Sequence, residues 1–261
     1  MQDNQAFRSL FTLPPIQPSA NTSLTVPEMP APKVVTGDRE VDAVLWLQEC
    51  VRTGHQALID KALEAAKKIT TPMKDLGVRY GQYLMRQHGS SVMAAFGSMG
   101  FGELESQANS AIERQRKRHI ALSRFGTEES LFSDTPAEAA CKKALRGVKR
   151  IKDGVFNVYD MEQVAERFAK RPDLQLNTLA DCLHGRAYWD ELYRLRAPFG
   201  CGDSPDYAQA HDDHCFAMLA KIAPRSKDES VAVLEHMEEH DAEDREESPA
   251  ILRNLISGGW A

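Results

Sequence analysis

Six potential metal ligands crowd into one stretch of this chain. Cys182, His184, Cys201, His211, His214 and Cys215 lie within 34 residues, and His236 and His240 follow. Residues three or four apart share a face of an α-helix. His236 with His240, and His211 with His214 and Cys215, could therefore each grip a divalent ion. Zinc would need Cys or carboxylate ligands to complete a tetrahedron around either pair. No cysteine pair has the C-x-x-C spacing of structural zinc sites. The candidate metal ligands are thus His211, His214, Cys215, His236 and His240, with zinc or another divalent ion implied. The alternative is no cofactor, with these histidines as polar residues on helix surfaces and ends.

The same residues carry a hydrolytic reading. His184, the adjacent pair His211-Asp212, and Asp241 resemble, in order along the chain, the HD-type metal phosphohydrolases, which are also helical. The resemblance implies metal-dependent phosphohydrolase activity. It departs from the family where Ala-Gln-Ala precedes the His-Asp pair in place of a strongly apolar helix, and where Asp213 and His214 follow. Gly97, Gly100 and Gly102 lack the Lys and preceding strand of a phosphate-binding loop. No G-x-S-x-G elbow occurs. Cys141, inside a predicted helix, reads as a buried thiol.

A second chemistry is charge. Residues 111–152 hold 11 basic and 5 acidic side chains. At 100° per residue, Arg114, Lys117, Arg118 and Arg124 share one side of a helix, opposite Leu104, Ala108, Ala111, Gln115 and Leu122. Lys142, Lys143 and Arg146 follow on the next helix, then Lys149, Arg150 and Lys152 on a strand. Several cations spaced like backbone phosphates are what DNA or RNA binding requires. A helix followed by a basic hairpin resembles a winged-helix arrangement in outline. The competing reading is a solvated helix face, and a pI near 5.8 weighs against a dedicated nucleic-acid binder.

The elements that position these groups are mostly helical. Residues 1–37 contain six of the thirteen prolines and read as a disordered arm. Its apolar cluster ends in Ser9-Leu10-Phe11, which resembles the end of the bacterial sliding-clamp-binding pentapeptide. Phe7 stands where that peptide carries Gln. The resemblance implies partner docking; the alternative is an arm that packs its two aromatics on its own domain.

Helical spacing covers 41–51 (Val41, Val44, Leu45, Leu47, Val51), 55–69, 73–87 and 103–124, with Gly54 between the first two. The glycine-rich 90–102 stretch reads as a turn or loop. Thr135-Pro136-Ala137-Glu138 is a capping box with Pro at the first helical position. Residues 148–159 alternate around Asp153-Gly154 and predict a hairpin with a type I′ turn. Asp160 caps the next helix. Helices follow over 178–184 and 186–196, divided by Gly185, then over 204–222, 226–246 and from Ser248. Tyr188, Trp189, Leu192, Tyr193 and Leu195 form a core-facing stripe.

The predicted fold is therefore mainly α: a multi-helix bundle with one short hairpin. Its expected parts are an arm (1–37), a helical core domain with the basic surface (38–200), and an acidic helical C-terminal region (201–261). That last region carries 14 acidic and 5 basic residues, against a balance of +3 before it and −6 overall. It could cover the basic surface, dock on a basic partner, or simply be solvated. No apolar run reaches the roughly 20 residues of a membrane span. Residues 1–5 lack the basic and apolar regions of a secretory signal, and the five cysteines fit reduced thiols, so a cytosolic location is expected.

The leading expectation is a non-enzymatic accessory or adaptor protein. It would contact nucleic acid through Arg114, Lys117, Arg118, Arg124, Lys142, Lys143, Arg146, Lys149 and Arg150, and protein through its arm or tail. The alternatives are a purely protein-binding scaffold and the metal-dependent hydrolase.

Overall fold

The computed structural model describes residues 2–18, 27–89, 91–153 and 156–257. It is mainly α, and its β structure among the described residues is one antiparallel two-stranded hairpin. The chain divides into two compact units, residues 18–120 and residues 1–17 with 121–261.

In the 18–120 unit, α2 (Arg39–Arg52) begins at Asp38, whose carboxylate accepts from the amides of Glu40 and Val41. Its buried face is Val41, Val44, Leu47 and Val51. Gly54 then turns the chain with φ +68°. A Cβ there would lie 2.8 Å from the Ala111 carbonyl oxygen, so both conformation and space demand glycine. The helices α3 (Gln56–Ala66), α4 (Met73–His88), α5 (Ser91–Ser98) and α6 (Leu104–Phe125) follow, α6 passing into the other unit at Ala121. Leu47, Val51, Ile59 and Ala62 pack with Leu104 and Ala108; Val41 and Val44 pack with Leu76 and Phe101. The buried Gln48 amide donates to the Phe101 carbonyl at 2.6 Å, so this interior polar group is satisfied.

The second unit contains α1 (Gln5–Leu10), α7 (Glu128–Phe132), α8 (Pro136–Ala144), β1 (Arg150–Asp153), β2 (Phe156–Tyr159), α9 (Met161–Ala169), α10 (Leu179–Arg196), α11 (Asp206–Met218), α12 (Lys227–Glu239) and α13 (Ser248–Ser257). They share one core, in which α10 packs on α1, α11 and α12. The capping box at Thr135 forms as expected, with Pro136 in the first turn. The hairpin pairs Arg150 with Tyr159, Ile151 with Val158 and Lys152 with Asn157. Its turn at residues 154–155 lies outside the described residues.

Several details differ from expectation. The units do not divide at 37/38 and 200/201. The acidic region supplies Phe216, Leu219, Val233, Met237, Ile251 and Leu255 to the second unit's core. Part of the arm is helix α1, capped by Asn4, with Phe7 and Phe11 buried in that same core; residues 19–26 lie outside the described ones. Helix α5 occupies most of the expected 90–102 loop, and α12 ends at Glu239, before Asp241 with φ +47°.

Gly185 does not break α10. A Cβ there would stand 2.9 Å from Cys215 Sγ and 3.0 Å from Phe7 Cζ. The glycine serves close packing of α1 and α11 on α10, and the helix runs straight through it.

Candidate functional site

Helices α10 and α11 wall two adjoining clefts of the second unit, which share Trp189, Tyr193, Ser204 and Ala208. Charged side chains lie at the base of each.

In the first cleft, Arg186 is the hub. Its Nε donates to His236 Nε2 at 2.7 Å, its Nη1 lies 3.1 Å from Asp212 Oδ2, and its guanidinium stacks 4.7 Å above the Phe216 ring. Arg245 lies 4.1 Å from the same ring and pairs with Asp213. Burial, then the positive charge of Arg186 and the neighbouring His240, push the His236 imidazole down to about 4. His236 is therefore neutral at pH 7, with its Nε2 lone pair occupied by Arg186. Burial raises the Asp212 carboxyl, against the pull of Arg186.

In the second cleft, Glu138 serves three partners. Arg196 donates from Nη1 at 2.7 Å and Nη2 at 2.9 Å, Tyr207 Oη at 2.8 Å, and the Thr135 amide at 2.9 Å. Burial alone would raise this carboxyl, but the bonds from Arg196, the Thr135 amide and Tyr207 outweigh it and hold it below the usual range. Arg196 also donates from Nε to the Leu131 carbonyl. The network is closed, and its members fix α7 and α8 against α10 and α11.

The metal candidates are not gathered around a point. His211 is fully buried. Its ring stacks on Phe11 at 4.5 Å, its Nδ1 accepts from Trp189 Nε1 at 3.0 Å, and Cys215 Sγ lies 3.5 Å from that nitrogen. Burial, with His214 beside it, drives its pKa well below the ordinary value. His214 packs against Phe168 and is lowered to about 4, by burial and then Lys221. Cys215 is buried and its thiol pushed up. His236 and His240 face each other, ring centroids 4.3 Å apart, and the His236 Nε2 is taken by the Arg186 guanidinium. Among the described residues no three His, Cys, Asp or Glu side chains are placed to hold a metal ion.

The HD-type constellation is likewise dispersed. His211 faces the core, Asp212 is held by Arg186, His184 Nε2 lies 3.3 Å from the Arg8 carbonyl oxygen, and Asp241 is exposed. Cys141 is buried, with its thiol raised chiefly by that burial.

The basic candidates fall in both units. Arg114, Lys117 and Arg118 belong to the 18–120 unit, the first two exposed. Arg124 is half-buried and donates to the Pro14 carbonyl at 3.1 Å, so it holds residues 1–17 in place. Lys142 pairs with Asp134 and covers the Tyr207 ring; Arg150 pairs with Asp206 and stacks on Tyr159. Lys143, Arg146, Lys149 and Lys152 are exposed and form no ion pair among the described residues. Lys142 and Lys143 stand in the last turn of α8, where cations also offset the negative end of the helix dipole.

Sequence reasoning missed Glu138 and Arg196 as a pair because 58 residues separate them. Arg186 carries no local motif, and its partners Asp212 and His236 lie 26 and 50 residues away. The available signal was the spacing Ala208, His211, Cys215, Leu219, a helical stripe of core-facing type that places His211 inside.

No family model matches the chain, and no curated protein or solved structure is similar to it.

Proposed function

We propose that this protein is a non-enzymatic accessory factor that contacts nucleic-acid phosphates through the basic segment joining α8 to β1. One observation carries the reading: Lys143, Arg146, Lys149 and Lys152 are exposed within ten residues and are not spent on internal ion pairs. Arg150 and Lys142 flank them, tethered by Asp206 and Asp134. Arg114 and Lys117 offer further cations in the other unit. The clefts support the non-enzymatic side. General acid–base work needs a group with a free lone pair or a proton to give, whereas His236 and Glu138 are engaged by arginines.

Fluorescence anisotropy with short DNA and RNA duplexes and single strands, across a salt series, tests the reading. If all four cations reach phosphates of a duplex, log K should fall against log salt with a slope of about −3 to −4. The variant Arg146→Glu/Lys149→Glu/Lys152→Glu, which spares Lys143 in the last turn of α8, should abolish binding while leaving the thermal midpoint unchanged. Absence of binding by the intact chain at low salt would sink the proposal.

A further inference from the structure

Six cations stand between Lys142 and Lys152, and two of them, Lys142 and Arg150, carry a carboxylate partner. Both partners come from outside the basic segment. Asp134 sits just ahead of the Thr135 cap of α8, and Asp206 is the first residue of α11, 56 residues beyond Arg150. The positive end of a helix favours a carboxylate at each place. Each cation is also seated on a ring. The Lys142 ammonium lies 4.7 Å from the centre of Tyr207, the residue after Asp206. The Arg150 guanidinium lies 4.5 Å from the centre of Tyr159, its partner across the hairpin, and donates to the Asn157 carbonyl at 3.3 Å. Adjoining residues at the start of α11 thus hold both cations.

All four charges lie at the surface. Asp134 and Asp206 are 49% and 58% exposed, Lys142 and Arg150 41% and 43%, in the same stretch as the exposed Lys143, Arg146, Lys149 and Lys152. Exposed ion pairs contribute little to stability, so the consequence of these two lies in what the surface offers an anion. Binding to nucleic acid is driven by counterions released as phosphates are neutralised. A cation already matched by a carboxylate adds nothing to that release. A phosphate that displaces the carboxylate leaves an uncompensated negative charge beside its own.

We propose that Asp134 and Asp206 are built-in competitors of phosphate, which hold Lys142 and Arg150 out of nucleic-acid binding and so limit its affinity. This rests on the reading of the α8–β1 segment as a phosphate-contacting surface. The device is regulatory: neutralising the two carboxylates turns a four-cation surface into a six-cation one. The competition comes from two single carboxylates at helix starts and not from the acidic C-terminal region as a whole.

Anisotropy titrations of the full chain with a short labelled DNA duplex, across a salt series, test it. Asp134→Asn/Asp206→Asn should bind more tightly than the intact chain. Its plot of log K against log salt should be steeper by about 2, from about 0.9 for each added phosphate contact. Its advantage should therefore shrink about tenfold between about 50 and about 200 mM salt. Either substitution alone should give about half that change in slope. Adding Lys142→Gln/Arg150→Gln to the double variant should return affinity and slope to those of the intact chain, because the gain passes through these two cations. Glu238→Gln/Glu239→Gln alters net charge equally, at exposed carboxylates of α12 that form no ion pair among the described residues, and should leave the slope unchanged. Equal circular-dichroism melting of the variants separates altered binding from altered folding. If the intact chain binds and Asp134→Asn/Asp206→Asn binds no better, or with unchanged slope, the competition fails while the phosphate-binding reading stands. An equal gain in Glu238→Gln/Glu239→Gln overturns it too, since net charge is then the cause. Binding by Asp134→Asn/Asp206→Asn alone would mean that the competition is complete; binding by neither at low salt overturns both readings.

Discussion

Gly185 shows how a single missing side chain decides local packing. Two opposing effects meet there. Alanine would favour the helix by about 1 kcal/mol over glycine. Its Cβ, however, would stand 2.9 Å from Cys215 Sγ and 3.0 Å from Phe7 Cζ, both fully buried and with nowhere to retreat. Overpacking of that kind costs about 1–3 kcal/mol. Gly185→Ala should therefore be net destabilising, by about 1 kcal/mol in urea unfolding; a stabilised variant would show that α1 and α11 yield easily. The sequence offers no way to see this, because glycine inside a helical pattern reads equally as a break or a close approach. The His211 environment is hidden for the same reason. His-Asp-Asp-His advertises polar chemistry, yet the positions of His211, His214 and Cys215 on α11 turn them inward, toward Phe7, Phe168 and Trp189.

Among the elements, α1 bears most on how the second unit is built. Six residues long, it is too short to be stable alone. What holds it is tertiary. Phe7 and Phe11 stack on each other and on His211, Arg8 pairs with the buried Asp181, and the Asn4 side-chain amide donates to the carbonyls of Pro172 and Gln175. None of these partners is within reach of local sequence reasoning, and the surrounding prolines point the other way. Helices announced by local chemistry, such as those capped by Thr135 and Asp160, are legible because the cap and the first turn lie within four residues. Phe11→Ala should cost about 3–5 kcal/mol, as large-to-small changes at buried aromatics do. Hydrogen exchange gives the sharper readout: protection should fall across α8–α13 and persist in α2 and α3. Uniform loss in both regions would contradict the assignment of α1 to the second unit alone. It also follows that Ser9-Leu10-Phe11 is not a free docking peptide in this fold, since Phe11 lies against Tyr188 and Trp189.

At the scale of the whole molecule, the buried histidines set how stability responds to pH. His214 and His236 both have pKa values near 4 in the fold, lowered first by burial, and burial likewise holds the His211 imidazole well below its ordinary value. In the unfolded chain each returns to about 6.5. Between those values the unfolded state binds protons that the folded state refuses, so stability falls as pH drops from about 6.5 toward 4 and is level above that window. At about 1.4 kcal/mol per pKa unit, His214 alone accounts for about 3 kcal/mol across it, a large share of a typical domain's stability. The Glu138 carboxyl, held low by Arg196 and its other donors, adds to the loss only below its ordinary value of 4.5. Urea midpoints at pH 8, 7, 6 and 5 should therefore be nearly equal for the first two and fall steeply for the last two. His214→Gln should flatten that fall while lowering the plateau. A midpoint that stays constant down to pH 5 would mean that these imidazoles reach solvent and take up protons within the native fold.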